Sequence, residues 1–257
     1  MAAKMPDKIT LPQGQVVYYA NEVTSTNDLI AEWGKEGAEP FTTLWADSQS
    51  KGRGRLGRKW QTYPGVGLAF SVLVPGGGAL LPIAVSVALH RALAQFLPAE
   101  QQESLTIKWP NDIQLRGKKL AGILIESHAG GDGSRFYVVG VGLNVRQPAG
   151  GFADAPQAVA LEAATPTPPE RAFVLGAILQ ALQKTLDLTR ENTDHAPIVN
   201  HYKANCGTFG QHVVWRDSGE EIEGIARDMT PEGHLILETE NGVKACHVGE
   251  VIATGNT

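Results

Sequence analysis

Cysteine is scarce in this chain. Cys206 and Cys246 stand far apart and outside any Cys-x-x-Cys spacing. That excludes a disulfide framework or a zinc ribbon and leaves two buried thiols as the expectation. A basic excess is also missing: the formal net charge is -5, which argues against a general nucleic-acid binder. The opening segment, MAAKMPDKITLPQGQ, has no apolar stretch and so is not a secretory leader. Residues 61–89 carry no charge, but Pro75, Gly76, Gly77, Gly78 and Pro82 divide them into pieces too short to cross ~30 Å of hydrocarbon. A cytoplasmic protein without membrane attachment is therefore expected. There is no His-Glu-x-x-His, no Gly-x-Ser-x-Gly and no Walker A loop, and the seven histidines are scattered. Metal hydrolysis and serine hydrolysis lose their usual signatures, and the histidines read as structural or surface residues.

What the chain does have is enough apolar material for a substantial core: 257 residues, 42% of them hydrophobic. Residues 16–20, 41–49, 67–75, 105–109, 112–116, 119–127 and 134–145 read as strands from their β-branched and apolar patterning. The glycines in the last of these mark places where something approaches the backbone. RGKK, at 116–119, reads as a hairpin turn. Helices are expected from about Thr26, with Thr24, Ser25 or Thr26 as N-cap, and from Leu81 to Leu97, where apolar residues run nearly all round. The amphipathic stretch after Pro168 and Pro169 is a third, and a short helix is expected around 157–164. After Tyr202 the texture changes to short strands separated by DSGE, TPEG and ENG turns, which suggests a small β-barrel of SH3-like type. The expected division is 1–205 for a main α+β domain and 206–257 for the barrel.

The segment QSKGRGRLGRKW, residues 49–60, is the strongest local signal. It holds Gly52, Gly54 and Gly57 with Lys51, Arg53, Arg55, Arg58 and Lys59, and no Asp or Glu occurs between Asp47 and Glu100. GRGRLG matches Gly-x-Gly-x-x-Gly formally. A dinucleotide site, however, needs a helix opening at the glycines and an acid about 20 residues later. KWQTYPGVG follows instead, so that reading fails. One alternative is a solvated basic turn. Against it, like charges in one segment repel, and each ordered glycine costs roughly 0.5–1 kcal/mol relative to alanine. An anion that orders the loop, a phosphate or adenylate, explains it better.

GRGRLGRKW, together with EVTSTND (22–28), KWPND (108–112), KLAGILIE (119–126) and GVGLNV (140–145), resembles the biotin protein ligases, with the motifs in that family's order. The resemblance runs from about Val16 to the end. It implies an α+β catalytic domain with a mixed sheet, related to class II aminoacyl-tRNA synthetases, followed by an SH3-like barrel. It also implies the activity: biotin and ATP, with Mg2+, give biotinyl-5′-AMP and diphosphate, and the biotinyl group passes to a lysine of a biotin carboxyl carrier protein or domain. The short segment before Val16 suggests the form without an N-terminal DNA-binding winged helix, and no nucleic-acid partner is expected. Whether the protein dimerises is left open.

Carried over residue by residue, the resemblance places biotin or biotinyl-adenylate contacts on Ser25, Thr26, Asn27, Gln49, Gly52, Arg53, Gly54, Arg55 and Lys119. Arg53, Arg55 and Lys119 are the implied catalytic groups. Hydroxyl and amide side chains can both donate to and accept from a ureido ring, and arginine suits carboxylate and phosphate. Asn111, Asp112 and Asn144 are the implied ATP-side residues, with Asp112 serving either Mg2+ or a ribose hydroxyl; no protein-held metal is expected. Trp60 and Trp109 are expected to pack rather than to stack on adenine. Family members place a tryptophan in the loop over adenine, where this chain reads AVALEAA (158–164). Lipoate ligases, built on a related fold, are the rival reading. The basic loop itself is expected to be mobile without ligand and to close over the adenylate.

Overall fold

The computed structural model describes residues 6–191, 194–247 and 249–254. The first five residues of the segment tested as a leader, and Val248 at the end of the expected VKACHV strand, lie outside them. In chain order the first eight strands are β1 Asp7–Thr10, β2 Val16–Val23, β3 Thr43–Gln49, β4 Gly67–Pro75, β5 Leu105–Lys108, β6 Asp112–Leu115, β7 Lys118–Ala129 and β8 Arg135–Asn144. They form one sheet in the order β1-β2-β3-β4-β8-β7-β6-β5. Only β2 and β3 run parallel; every other neighbouring pair is antiparallel, so the sheet is mixed, as expected.

Alternation along the strands sends successive side chains to opposite faces. On one face Leu44, Leu73, Phe136 and Val138 receive Ile30 and Ala31 of helix α1, Thr26–Lys35. On the other, Val72, Val74 and Val139 join the main cluster with α2, Leu81–Ala94, and α4, Arg171–Glu191. Helix α2 is buried nearly all round, from Leu81 to Leu93, which is why its sequence shows no polar face. It stops three residues before the expected end, because Pro98 disfavours helical geometry in the residue before it. Arg116 and Gly117 both take positive φ, 52° and 72°, and make the expected hairpin turn between β6 and β7.

In the first 205 residues one strand and two α-helices were not foreseen. Strand β1 is a four-residue edge strand paired on one side only, too short to show a period. Helix α3, Ala99–Gln102, is a single turn. Helix α5, Ala196–Ala204, has a proline in its first turn and a polar sequence that hides the buried stripe Ile198, Val199 and Tyr202. The short helix expected at 157–164 is only a 3-10 turn at Leu161–Ala164; before it Pro156 and Gln157 lie in a turn and Ala158 bridges Lys119.

The C-terminal strands are β9 His212–Asp217, β10 Glu220–Met229, β11 Leu235–Thr239, β12 Gly242–Cys246 and β13 Glu250–Ala253. They form a five-stranded antiparallel sheet in the order β12-β11-β10-β9-β13. The DSGE turn carries positive φ at Ser218 and Gly219, as a two-residue hairpin requires. This unit is not loosely tethered. Ile107 bridges Cys206, the Trp109 N–H donates to Thr208 Oγ1 at 3.0 Å, and Trp109 Nε1 donates to the Gly233 carbonyl at 3.0 Å. Trp109 is 3% exposed and thus packs, as expected. Cys206 and Cys246 are both buried free thiols.

Helices α2 and α5 meet at two histidines. His90 Nε2 lies 3.0 Å from the Leu105 carbonyl, and His201 Nε2 lies 3.2 Å from His90 Nδ1. Donation by His90 Nε2–H leaves Nδ1 as acceptor, so His201 donates into a neutral pair. Burial, with Arg91 nearby, holds His201 neutral down to about pH 4. The unfolded chain takes up this proton near pH 6.5. Stability should therefore be highest above pH 6.5 and fall as pH drops toward 4. Thermal melts of wild type and His201→Asn across that range test this. The variant should lose less stability on acidification; parallel slopes would contradict the assignment.

Candidate active site

The α1 side of the sheet carries a cleft of about 490 Å³. Its floor follows from register. Gly140 of β8 pairs with Ser71 of β4 and Leu124 of β7, and Gly142 pairs with Ala69 and Gly122. Two residues on, Asn144 continues the same face, and Val138, two residues back, lies under α1. The glycines are there because other groups occupy the space. A Cβ at Gly140 would stand 2.1 Å from Asn27 Oδ1, and one at Gly142 would stand 2.1 Å from Trp60 Cε2. The close approach anticipated from GVGLNV is thus made by an asparagine and an indole.

The closed end is built by the start of α1. Ser25 is the N-cap; its Oγ accepts from the Asp28 N–H at 3.4 Å and from Arg53 Nη1 at 3.3 Å. Thr26 donates through its N–H to Gln49 Oε1 at 2.8 Å, and its Oγ1 lies 3.1 Å from the same oxygen and 2.7 Å from Ser71 Oγ. Asn27 Oδ1 accepts from Ser71 Oγ at 2.6 Å while its Nδ2 donates to Glu126 Oε2 at 2.5 Å. Ser25, Thr26 and Asn27 are each under 5% exposed and all border the cleft. Ser25 therefore caps the helix and also faces the cavity.

The basic loop lies folded over this end. Arg53 Nη2 reaches Asp28 Oδ1 at 2.6 Å and Glu126 Oε1 at 3.0 Å, and these bonds raise its pKa. Arg58 Nη2 pairs with Glu250 Oε2 at 2.5 Å, and that contact lowers the Glu250 pKa. Arg55 donates to Asn111 Oδ1 at 3.2 Å and to the Gly249 carbonyl at 3.0 Å; burial pulls its pKa below the ordinary arginine value. The loop closes on itself through Trp60 N–H to the Gly52 carbonyl, 3.0 Å, and Gly54 N–H to the Arg58 carbonyl, 2.7 Å. Gly52 does not border the cleft, whereas Gly54 does. The acids that the segment itself lacks come from α1, β7 and β13. Arg53 and Arg58 thus have acidic partners without any anion in the cleft.

Lys119 Nζ lies 2.8 Å from Asp112 Oδ1 and 5.8 Å from the Trp60 ring centre. Asn111 Nδ2 donates to the Ile123 carbonyl at 2.9 Å, and Asn144 Nδ2 to the Val159 carbonyl at 3.2 Å. All three lie on the cleft wall beside Lys119. Among the described residues no group of three or more His, Cys, Asp or Glu is placed to hold a metal ion. Of the expected site residues, all but Gly52 border one cavity. Sequence reasoning assigned no role to Asp28, Glu126, Ser71, Gly249 or Glu250. The first two lie inside the quoted motifs EVTSTND and KLAGILIE; the other three had no local signal.

The arrangement can hold a polar, uncharged ring at its closed end and offer cations, with directed donors, beside it. Comparison with known proteins points the same way. The Biotin/lipoate A/B protein ligase family matches residues 19–144, and the Biotin protein ligase C terminal domain matches residues 208–253. The chain is 34% identical to the Biotin--[acetyl-CoA-carboxylase] ligase of Paracoccus denitrificans, over 82% of this chain and 89% of that one. It is 30% identical to the Bifunctional ligase/repressor BirA of Bacillus spizizenii, over 93% of this chain and 74% of the relative. Among solved structures, the biotin protein ligase from Aquifex aeolicus in complex with biotin and ATP superposes with a TM-score of 0.78 at 28% identity, covering 93% of this chain and 99% of the other.

The Trp60 platform is directly testable. Gly142→Ala should cost about 1–3 kcal/mol in urea unfolding, the usual range for overpacking. In a Trp60→Ala background the same change should cost close to nothing, because the clashing indole is gone. Equal costs in the two backgrounds would show that Trp60 does not rest on the strand.

Proposed function

The chain belongs to the biotin protein ligase family, and we propose that it forms biotinyl-5′-AMP from biotin and ATP and then biotinylates a lysine of a biotin carboxyl carrier protein or domain. One observation carries the reading. The buried Ser25, Thr26 and Asn27, the half-buried Gln49 and the cations Arg53, Arg55 and Lys119 line a single cleft.

Biotin's ureido ring is neutral and needs both donors and acceptors, which the closed end supplies. Its carboxylate then lies toward Arg53 and Lys119. In the first step a carboxylate oxygen attacks the α-phosphorus of ATP, and the bond from that phosphorus to the bridging oxygen breaks. Diphosphate leaves, with Mg2+ arriving as the counter-ion of the ATP phosphates. Two anions must approach for this to happen, so the work of the site is positioning and charge stabilisation, and no protein nucleophile is required. Arg55 and Lys119 offset the charge gathering at phosphorus; Asp112 holds the Lys119 ammonium in place. In the second step the neutral ε-amine of the carrier lysine attacks the acyl carbonyl. The bond to the adenylate oxygen breaks, AMP leaves, and the amine loses a proton. A cleft that excludes water protects the anhydride between the steps.

Diphosphate release from the purified protein should depend on biotin and not on lipoate; the reverse dependence would overturn the reading. Lys119→Ala should slow the first step about 10²–10³-fold, the scale on which loss of one stabilising donor is felt. Its melting temperature should hardly move, as the side chain packs little. Unchanged turnover would make Lys119 a bystander.

A further inference from the structure

Two histidines of the C-terminal sheet face each other, and neither borders the cleft. Leu235 of β11 pairs with Cys246 of β12, so His234 and His247 stand opposite each other one residue further out. Their ring centres are 3.9 Å apart, and His247 Nδ1 lies 3.2 Å from His234 Nε2. His234 is half-buried and His247 exposed. The backbone under His234 is fixed: its N–H donates to Thr230 Oγ1 at 3.2 Å, and its carbonyl accepts from the Thr230 N–H at 2.9 Å. The neighbouring Gly233 carbonyl holds Trp109 Nε1.

The pair stands at the least covered part of this sheet. Strand β12 is an edge strand with one neighbour, and Gly242, Val243, Lys244 and Ala245 are all exposed. A strand with so few buried contacts opens locally before the rest. Thr239 Oγ1, donating to the Gly242 carbonyl at 2.8 Å, ties the turn end of the β11–β12 hairpin. The histidines stand at its other, open end. Cys246, next to His247, is 1% exposed and belongs to the core, so its thiol takes no part.

Imidazole is a preferred ligand of Zn2+, Ni2+ and Cu2+. With metal–nitrogen bonds of about 2.0–2.1 Å, two ligands at tetrahedral or right angles lie about 3.0–3.4 Å apart. The two facing nitrogens already have that separation. We propose that His234 and His247 bind a borderline transition-metal cation of the Zn2+ or Ni2+ class, which clips the open end of the hairpin. Without metal, one ring donates its hydrogen to the other. Exchange with solvent moves that hydrogen to the ring's second nitrogen and frees both facing lone pairs. Two metal–water bonds then give way to two metal–nitrogen bonds, with no net proton released and water keeping the remaining positions. The Glu232 carboxylate, within electrostatic reach of His234, adds a negative charge that favours a cation. Gly249 and Glu250, which hold Arg55 and Arg58, follow His247 by two and three residues. The clip thus sits at the root of the segment that reaches the basic loop.

The test uses the full chain without an affinity tag. Calorimetric titration with NiCl2 should show one saturable site in wild type, for which excess MgCl2 does not compete. His234→Gln and His247→Gln should each weaken binding at least about tenfold, while His212→Gln, at another exposed histidine, should leave it unchanged. Ni2+ should slow amide exchange at residues 243–246 in wild type and not in His247→Gln. Because His247 is exposed, that variant should keep the metal-free melting temperature of wild type. Affinity within about twofold of wild type in both pair variants, or no saturable binding by wild type, would overturn the proposal. So would an equal loss in His212→Gln, and binding that leaves exchange in β12 unchanged would overturn the clip.

Discussion

One guanidinium ties the cleft together. Arg53 bonds at once to Asp28 on α1, to Glu126 on β7 and to the capping hydroxyl of Ser25. Glu126 in turn accepts from Asn27, whose other side-chain atom accepts from Ser71 on the sheet floor. Loop, helix start and two strands thus share one chain of hydrogen bonds, and each link fixes the orientation of the next. Because Arg53 is partly exposed, the pair energies themselves are small. Their effect is on geometry: with Arg53 absent, Glu126 and Asp28 would face each other as uncompensated carboxylates, and Glu126, which orients Asn27, would itself lose the cation that holds it.

The same logic explains how an acidic chain tolerates so concentrated a patch of positive charge. Arg53 and Arg58 are met by acids brought from separate elements, Asp28, Glu126 and Glu250, rather than by neighbours in the sequence, and Arg55 by neutral oxygens of Asn111 and Gly249. The C-terminal unit takes part directly, since Gly249 and Glu250 at the start of β13 hold Arg55 and Arg58. A substrate anion entering the cleft meets arginines already aimed and solvated by protein oxygens. It has to replace those partners, not gather scattered side chains, which is preorganisation in the physical sense.

Much of this was legible in the sequence where periodicity is strong. The uncharged run around α2, the alternating strands of the floor and the hairpin glycines state their environments locally. The cleft residues were legible as motifs, and the glycines of GVGLNV announced a close approach without saying by what. What could not be read was long-range pairing. Nothing near Arg58 points to Glu250, which lies in the C-terminal sheet, and nothing near Asn27 points to Ser71. Helix α5 escaped because its buried stripe is only three residues wide.

The central claim is that the cleft is assembled by internal ion pairs before any substrate arrives. Amide hydrogen exchange in the ligand-free chain tests it at Gly54, Arg58 and Trp60, whose N–H groups close the loop on itself. The account predicts protection of these amides in wild type, and its loss when Asp28, Glu126 and Glu250 are replaced together by Asn, Gln and Gln. Exchange at the rate of an unfolded chain in wild type, with protection appearing only after biotin and ATP are added, would contradict it.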